Sequence, residues 1–125
     1  MKLVLVANDQ PNHLILITTQ LLQMDLQVVT VVSRADAMAI INAVDLDLII
    51  VDLILGDDDG WEMIQTIRQH QRTQKTPIMA VSVMNTNQDV ERVYSVGADF
   101  FLPKPFTPTQ LRSAVQRVLR QEPVD

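Results

Sequence analysis

Four side chains of this 125-residue sequence stand where apolar runs stop: Asp9 after VLVAN, Asp52 after LIIV, Ser82 after IMAV and Lys104 after FFLP. Two carboxylates, a hydroxyl and an ammonium make a set suited to holding a phosphoryl group. If Asp9 and Asp52 came within ~4 Å they would repel by roughly 1–4 kcal/mol in a solvated setting, which a divalent cation would relieve. Oxygen ligands without imidazole favour Mg²⁺, which keeps several waters and takes one or two carboxylates. Beside that ion, a hydroxyl and an ammonium would each meet one equatorial phosphoryl oxygen, and Asp52 could itself be the nucleophile that forms an aspartyl phosphate.

Each residue also has a plainer reading. A lone aspartate at a strand end is more often a turn or cap residue, Ser82 alone is a polar break, and Lys104 alone is a loop lysine, although prolines fix the backbone on both sides of it. Only their convergence raises the odds. The run Asp57-Asp58-Asp59-Gly60 attracts a calcium-loop reading, but with Gly60 at loop position six, positions one and twelve would be Leu55 and Thr66, where carboxylates are required. Asp59 reads instead as a helix cap, and Asp57 and Asp58 as solvated turn residues. Trp61 and Tyr94 read as packing or surface contacts, and His13 and His70 as solvent-exposed.

Convergence depends on the elements. The segments 2–7, 27–32, 48–51, 77–83 and 99–102 are short, apolar or β-branched, and nearly continuous, as strands buried on both faces are. Between them lie helical patterns. Leu14, Ile17, Leu21 and Met24 recur at helical spacing after Pro11; Ser33 to Asp36 opens a helix through Val44; residues 60–70 follow Asp59; residues 87–96 stop at Gly97; Thr107-Pro-Thr-Gln110 is a capping box. QRTQKT reads as a polar loop. Five strands alternating with five helices give an α/β fold, a doubly wound parallel sheet covered on both faces. Right-handed crossovers then put every strand's carboxyl end on one edge, which brings Asn8, Asp9, Asp52, Ser82 and Lys104 to a single rim.

Composition excludes several other chemistries. One domain is the natural size for the chain, with residues 1–121 in the domain and 122–125 a tail or the start of a linker. A net charge of −5 argues against direct nucleic-acid binding, and the lack of cysteine removes thiolate catalysis and disulfides. No apolar run approaches a membrane span and the first residues turn polar too early for a signal peptide, so a cytoplasmic location is expected.

Together VLVAND, IIVDLILGDDDG, PIMAVS and GADFFLPKPF resemble the receiver domains of two-component response regulators, over nearly the whole chain. The resemblance implies a flavodoxin-like sheet of order 2-1-3-4-5, which is carried over from the family. It implies that Asp52 accepts a phosphoryl group from a histidine kinase or histidine phosphotransfer protein, and that the chain is not an enzyme beyond its own phosphorylation and dephosphorylation. Asp9, Asp52 and the backbone carbonyl of Ile54 would hold Mg²⁺, with Asn8 acting through a bound water. Ser82 would bind a phosphoryl oxygen, Lys104 would pair with the phosphate across a cis Lys104–Pro105 bond, and Ser82 with Phe101 would form the switch. Leu16, read as an exposed leucine, would contact the donor's helical domain. Output, to a downstream protein or a fused domain, would leave near Tyr94 and Phe101.

Departures from that pattern carry expectations of their own. Asn8 stands where the family commonly has an acid, so metal affinity should be lowered about 10- to 100-fold. Val83 is larger than the usual residue and should narrow access to Asp52. Ile54 and Met84 cannot orient a water, which predicts a long-lived aspartyl phosphate. Phe100 replaces a residue often acidic in dimerising receivers. The runner-up is a receiver-like interaction module that works without phosphorylation. A dehalogenase-like phosphatase would need a second aspartate at Ile54, and a flavodoxin a Ser/Thr-rich loop in place of ANDQPN.

Overall fold

The computed structural model describes residues 1–120 and contains a parallel sheet with helices on both faces. The strands are β1 (Leu3–Ala7), β2 (Gln27–Val31), β3 (Leu48–Asp52), β4 (Ile78–Ser82) and β5 (Phe100–Pro103). The helices are α1 (Pro11–Gln23), α2 (Arg34–Ala43), α3 (Gly60–Gln69), α4 (Asn87–Ser95) and α5 (Pro108–Arg120). Sheet order is β2-β1-β3-β4-β5, as the family resemblance implies, and every neighbouring pair is parallel, as the alternation implies. The expected tail at 122–125 lies outside the described residues.

Strands with no polar face must be covered twice. Val4, Val6, Ile50 and Val81 pack under Ile17, Leu21, Leu111 and Val115 of α1 and α5, while Leu5, Ile49, Val51 and Ala80 pack under Ile41, Ile64, Ile67 and Val93 on the other side. Ile17 and Leu21 are fully buried, each contributing about 1.5–3 kcal/mol of transfer free energy. Leu14 and Met24, placed on the same face, are only half-buried at the two ends of α1.

Helix starts follow their caps. Ser33 Oγ accepts from the Asp36 N–H, Asp59 Oδ1 accepts from the Trp61 and Glu62 N–H groups, Thr86 and Asp89 form a reciprocal box, and so do Thr107 and Gln110. Asp58, expected to be a solvated turn residue, instead accepts from the Arg34 N–H at 2.9 Å and so serves the first turn of α2. Two small elements have no counterpart in the sequence reading. Ile54–Leu55 pairs antiparallel with Asp58–Asp59 around Gly56, and Gln71–Thr73 forms a single 3₁₀ turn inside the expected polar loop.

Two arrangements position the rim from below. At Gly60 an added Cβ would stand 2.4 Å from Leu53 Cα and 2.5 Å from its carbonyl oxygen, so α3 begins in direct backbone contact with the residue after Asp52. Arg68, at the end of α3, donates to the carbonyls of Thr73, Gln74, Thr76 and Gly97 and to Asp99 Oδ2. Asp99 Oδ2 also accepts from the Ile78 N–H at 2.9 Å. One guanidinium thus ties the amino ends of β4 and β5 to α3.

Candidate functional site

The carboxyl ends of β1, β3, β4 and β5 carry the polar residues singled out above. Ladder register sets them side by side: Asp52 lies opposite Val81, and Ser82 opposite Pro103, the residue before Lys104. The Lys104 N–H donates to the Ser82 carbonyl at 2.9 Å, and the Lys104–Pro105 peptide is cis. Asp52 is 2 % exposed, and its Oδ2 accepts from Lys104 Nζ. Its Oδ1 accepts from the Ile54 N–H at 2.9 Å, which fixes the plane of the carboxylate. Ser82, also buried, accepts from the Met84 N–H at 3.0 Å.

Asn8 is fully buried and its Oδ1 accepts from the Gln10 N–H at 2.8 Å, whereas its Nδ2 has no partner. Asp9 is exposed and its Oδ2 accepts from the Gly56 N–H at 2.9 Å, linking the end of β1 to the loop after β3. Oxygen donors are therefore the only side-chain ligands offered by Asp9 and Asp52, a hard set that suits Mg²⁺ better than a softer ion. The unpartnered Asn8 amide is a donor in need of an oxygen, which fits a cleft built for a hydrated ion or an anion. Among the described residues no group of three or more His, Cys, Asp or Glu side chains is arranged to hold a metal.

Other expected positions need correction or detail. Leu16 is half-buried, on the wall of a pocket with His13, Val83, Lys104, Pro105 and Phe106; the exposed side chain of that turn is Ile15, at 64 %. A helix turns about 100° per residue, so Leu16 lies on the flank of the buried stripe at Ile17, facing the pocket it shares with Pro105 and Phe106, while Ile15, about 200° from Ile17, faces out. His13 is half-buried, with Nδ1 3.0 Å from Lys104 Nζ, and His70 is held by Asn42 and Arg72; neither is the exposed histidine expected. Phe101 is buried beneath α4 in one cluster with Val93, and Tyr94 is exposed. Trp61 is buried with Arg92 stacked 4.7 Å from its ring centroid.

The model of the response regulator receiver domain matches residues 4–116. The chain belongs to this family. Receivers are signalling modules, and the curated relatives include the transcriptional regulatory protein GltR of Pseudomonas aeruginosa, 30 % identical over 118 residues that cover 94 % of this chain and 49 % of that protein. The chain spans about half the length of the curated relatives it matches. Among solved structures, the chemotaxis response regulator CheY4 of Vibrio cholerae superposes with a TM-score of 0.89 at 26 % identity, covering 94 % of this chain and 98 % of that one. The receiver domain of the sensor histidine kinase PA1611 from P. aeruginosa, with a magnesium ion coordinated in its active-site cleft, superposes with a TM-score of 0.86 at 24 % identity over 95 % and 98 % of the two chains. No helix of this receiver is long and apolar enough to cross a membrane among the described residues.

Proposed function

We propose that this receiver accepts a phosphoryl group on Asp52 from a histidine kinase or histidine phosphotransfer protein. One observation carries the reading: a carboxylate 2 % exposed, ion-paired to a lysine whose side chain is 7 % exposed, at the ligand-binding edge of a doubly wound sheet. Buried ion pairs are weak contributors to stability, because desolvation offsets most of the attraction. A pair placed at this edge is better explained by chemistry.

In that chemistry an Asp52 oxygen attacks phosphorus as the donor's phosphorus–nitrogen bond breaks. Lys104 follows the negative charge onto the phosphoryl oxygens, and the Ser82 hydroxyl turns from the Met84 N–H to donate to one of them. Asp9, Asp52 and the Ile54 carbonyl would hold Mg²⁺, with Asn8 reaching it through a water. When bound, the ion supplies neutralisation of the phosphoryl charge. The magnesium in the PA1611 receiver supports this choice at the level of the fold. Donor docking involves Ile15 and Leu16 on α1, and output leaves through Tyr94 and the region over Phe101. Relatives of about twice the length favour a fused output domain as the recipient. With a net charge of −5, these residues make no direct contact with nucleic acid, and a cytoplasmic location is part of the proposal.

Acetyl phosphate with Mg²⁺ should add the mass of one phosphoryl group to the wild type and none to Asp52→Asn. A wild type that gains nothing, or an equal gain in the variant, would sink the reading. The unpartnered, uncharged Asn8 favours a second reading, an interaction module that needs no phosphorylation. That reading requires Asp52→Asn to bind the partner as well as wild type under phosphorylating conditions.

A further inference from the structure

His13 stands in the first turn of α1, and its Nδ1 lies 3.0 Å from Lys104 Nζ across 91 residues of sequence. Both line a pocket of about 240 Å³, whose other walls are Leu16, Val83, Pro105 and Phe106. An ammonium has three donors and no lone pair, so Nδ1 must be the acceptor and the ring proton sits on Nε2. One lysine donor is then on Asp52 and one on His13. The third is left for an incoming oxygen.

We propose that His13 is a positioning residue for Lys104. This rests on the reading of Asp52 as phosphoacceptor. A lysine head on a four-carbon stem is a mobile point charge. Formation of the acyl phosphate removes negative charge from the Asp52 oxygen that takes phosphorus, and the ammonium must pass to the phosphoryl oxygens as the bond forms. The contact with His13 keeps the head of the stem on the α1 side of the cleft during that passage, so a directed N–H meets the phosphoryl group. A histidine that only fills the pocket wall would be replaced without loss by leucine, whose neighbours Leu16, Val83 and Phe106 are apolar.

The two roles separate in the rate of phosphorylation by acetyl phosphate at saturating Mg²⁺. His13→Leu removes the acceptor, while His13→Asn carries an amide oxygen near the place of Nδ1. The leucine variant should be slower by about three- to tenfold, the scale of one partly exposed hydrogen bond to a charged group, with thermal stability retained. The asparagine variant should recover most of the rate. Leucine at the wild-type rate, or leucine and asparagine equally slow, would overturn the proposal. Nitrogen-15 NMR adds a readout without phosphodonor: Nδ1 of His13 should be the ring nitrogen that carries no proton in the neutral imidazole, and its signal should shift in Lys104→Met. A protonated Nδ1 that ignores Lys104→Met would overturn it as well. A wild type that takes no phosphoryl group would overturn the Asp52 reading and this one with it. Phosphorylation of wild type and His13→Leu at one rate would overturn only the role of His13.

Discussion

Asn8 puts a dipole, in place of an anion, at the most buried point of the rim. Its Oδ1 bond to the Gln10 N–H would survive in Asn8→Asp, but the new carboxylate would be fully buried and would depend on a bound ion to balance its charge. Two effects of opposite sign follow. Magnesium affinity should rise about 10- to 100-fold, read by calorimetric titration. The melting temperature without magnesium should fall, and added magnesium should restore it because only the folded state binds the ion. An unchanged affinity would show that position 8 does not sense the metal. Ile54 and Met84, both exposed on the rim, offer no hydrogen-bonding side chain to orient a water at Asp52. The aspartyl phosphate should therefore persist, and Met84→Gln should shorten its lifetime; fast loss of label from the wild type would contradict this. Asp52, Ser82 and Lys104 were legible because each closes an apolar run. His13 was not, since its partner is an ammonium 91 residues away and helical periodicity gives only the face of α1.

At the scale of elements, α3 is the piece most closely coupled to the rim. Its first residue, Gly60, donates its N–H to the Leu53 carbonyl at 3.1 Å and has no room for a methyl group. Gly60→Ala should destabilise the fold by about 1–3 kcal/mol, since the atoms a methyl group would meet belong to the Leu53 backbone rather than to the end of a flexible side chain. Urea unfolding would measure it, and a loss below ~0.5 kcal/mol would mean that α3 moves away from Leu53 without cost. The five strands and five helices could be read from the chain because burial on both faces leaves uninterrupted apolar runs and capping residues mark the helix starts. The hairpin of Ile54–Leu55 with Asp58–Asp59 could not. Its strands are two residues long, too short for any periodicity, and its aspartates signal turn and cap as strongly as strand.

Across the whole molecule, the two edges of the sheet are held by different means. Arg68 uses its planar fork on four carbonyls and Asp99 at the amino ends of β4 and β5, and Gly97 leaves room for it, since a Cβ there would stand 2.9 Å from Arg68 Cγ. No residue type announces a site made of backbone carbonyls, so nothing in the sequence singles out this arginine. Lysine cannot reproduce the fork, so Arg68→Lys should cost about 2–4 kcal/mol in urea unfolding while leaving phosphorylation of the folded fraction intact. Equal stability of the two proteins would show the carbonyls to be served by water instead. The opposite edge depends on single side-chain contacts such as Asp52 with Lys104 and Asp9 with the Gly56 N–H.

That asymmetry has a kinetic signature. The Ile78 amide is held by an Asp99 oxygen that the Arg68 guanidinium grips in turn, so its proton should exchange with solvent mainly when the domain unfolds as a unit. The amides of Gly56 and Met84, each held by one side-chain oxygen, can exchange through brief local openings. Deuterium uptake should therefore divide the sheet lengthwise, slow at the strands' origins and fast at their ends, and charge placed on Asp52 should slow only the second population.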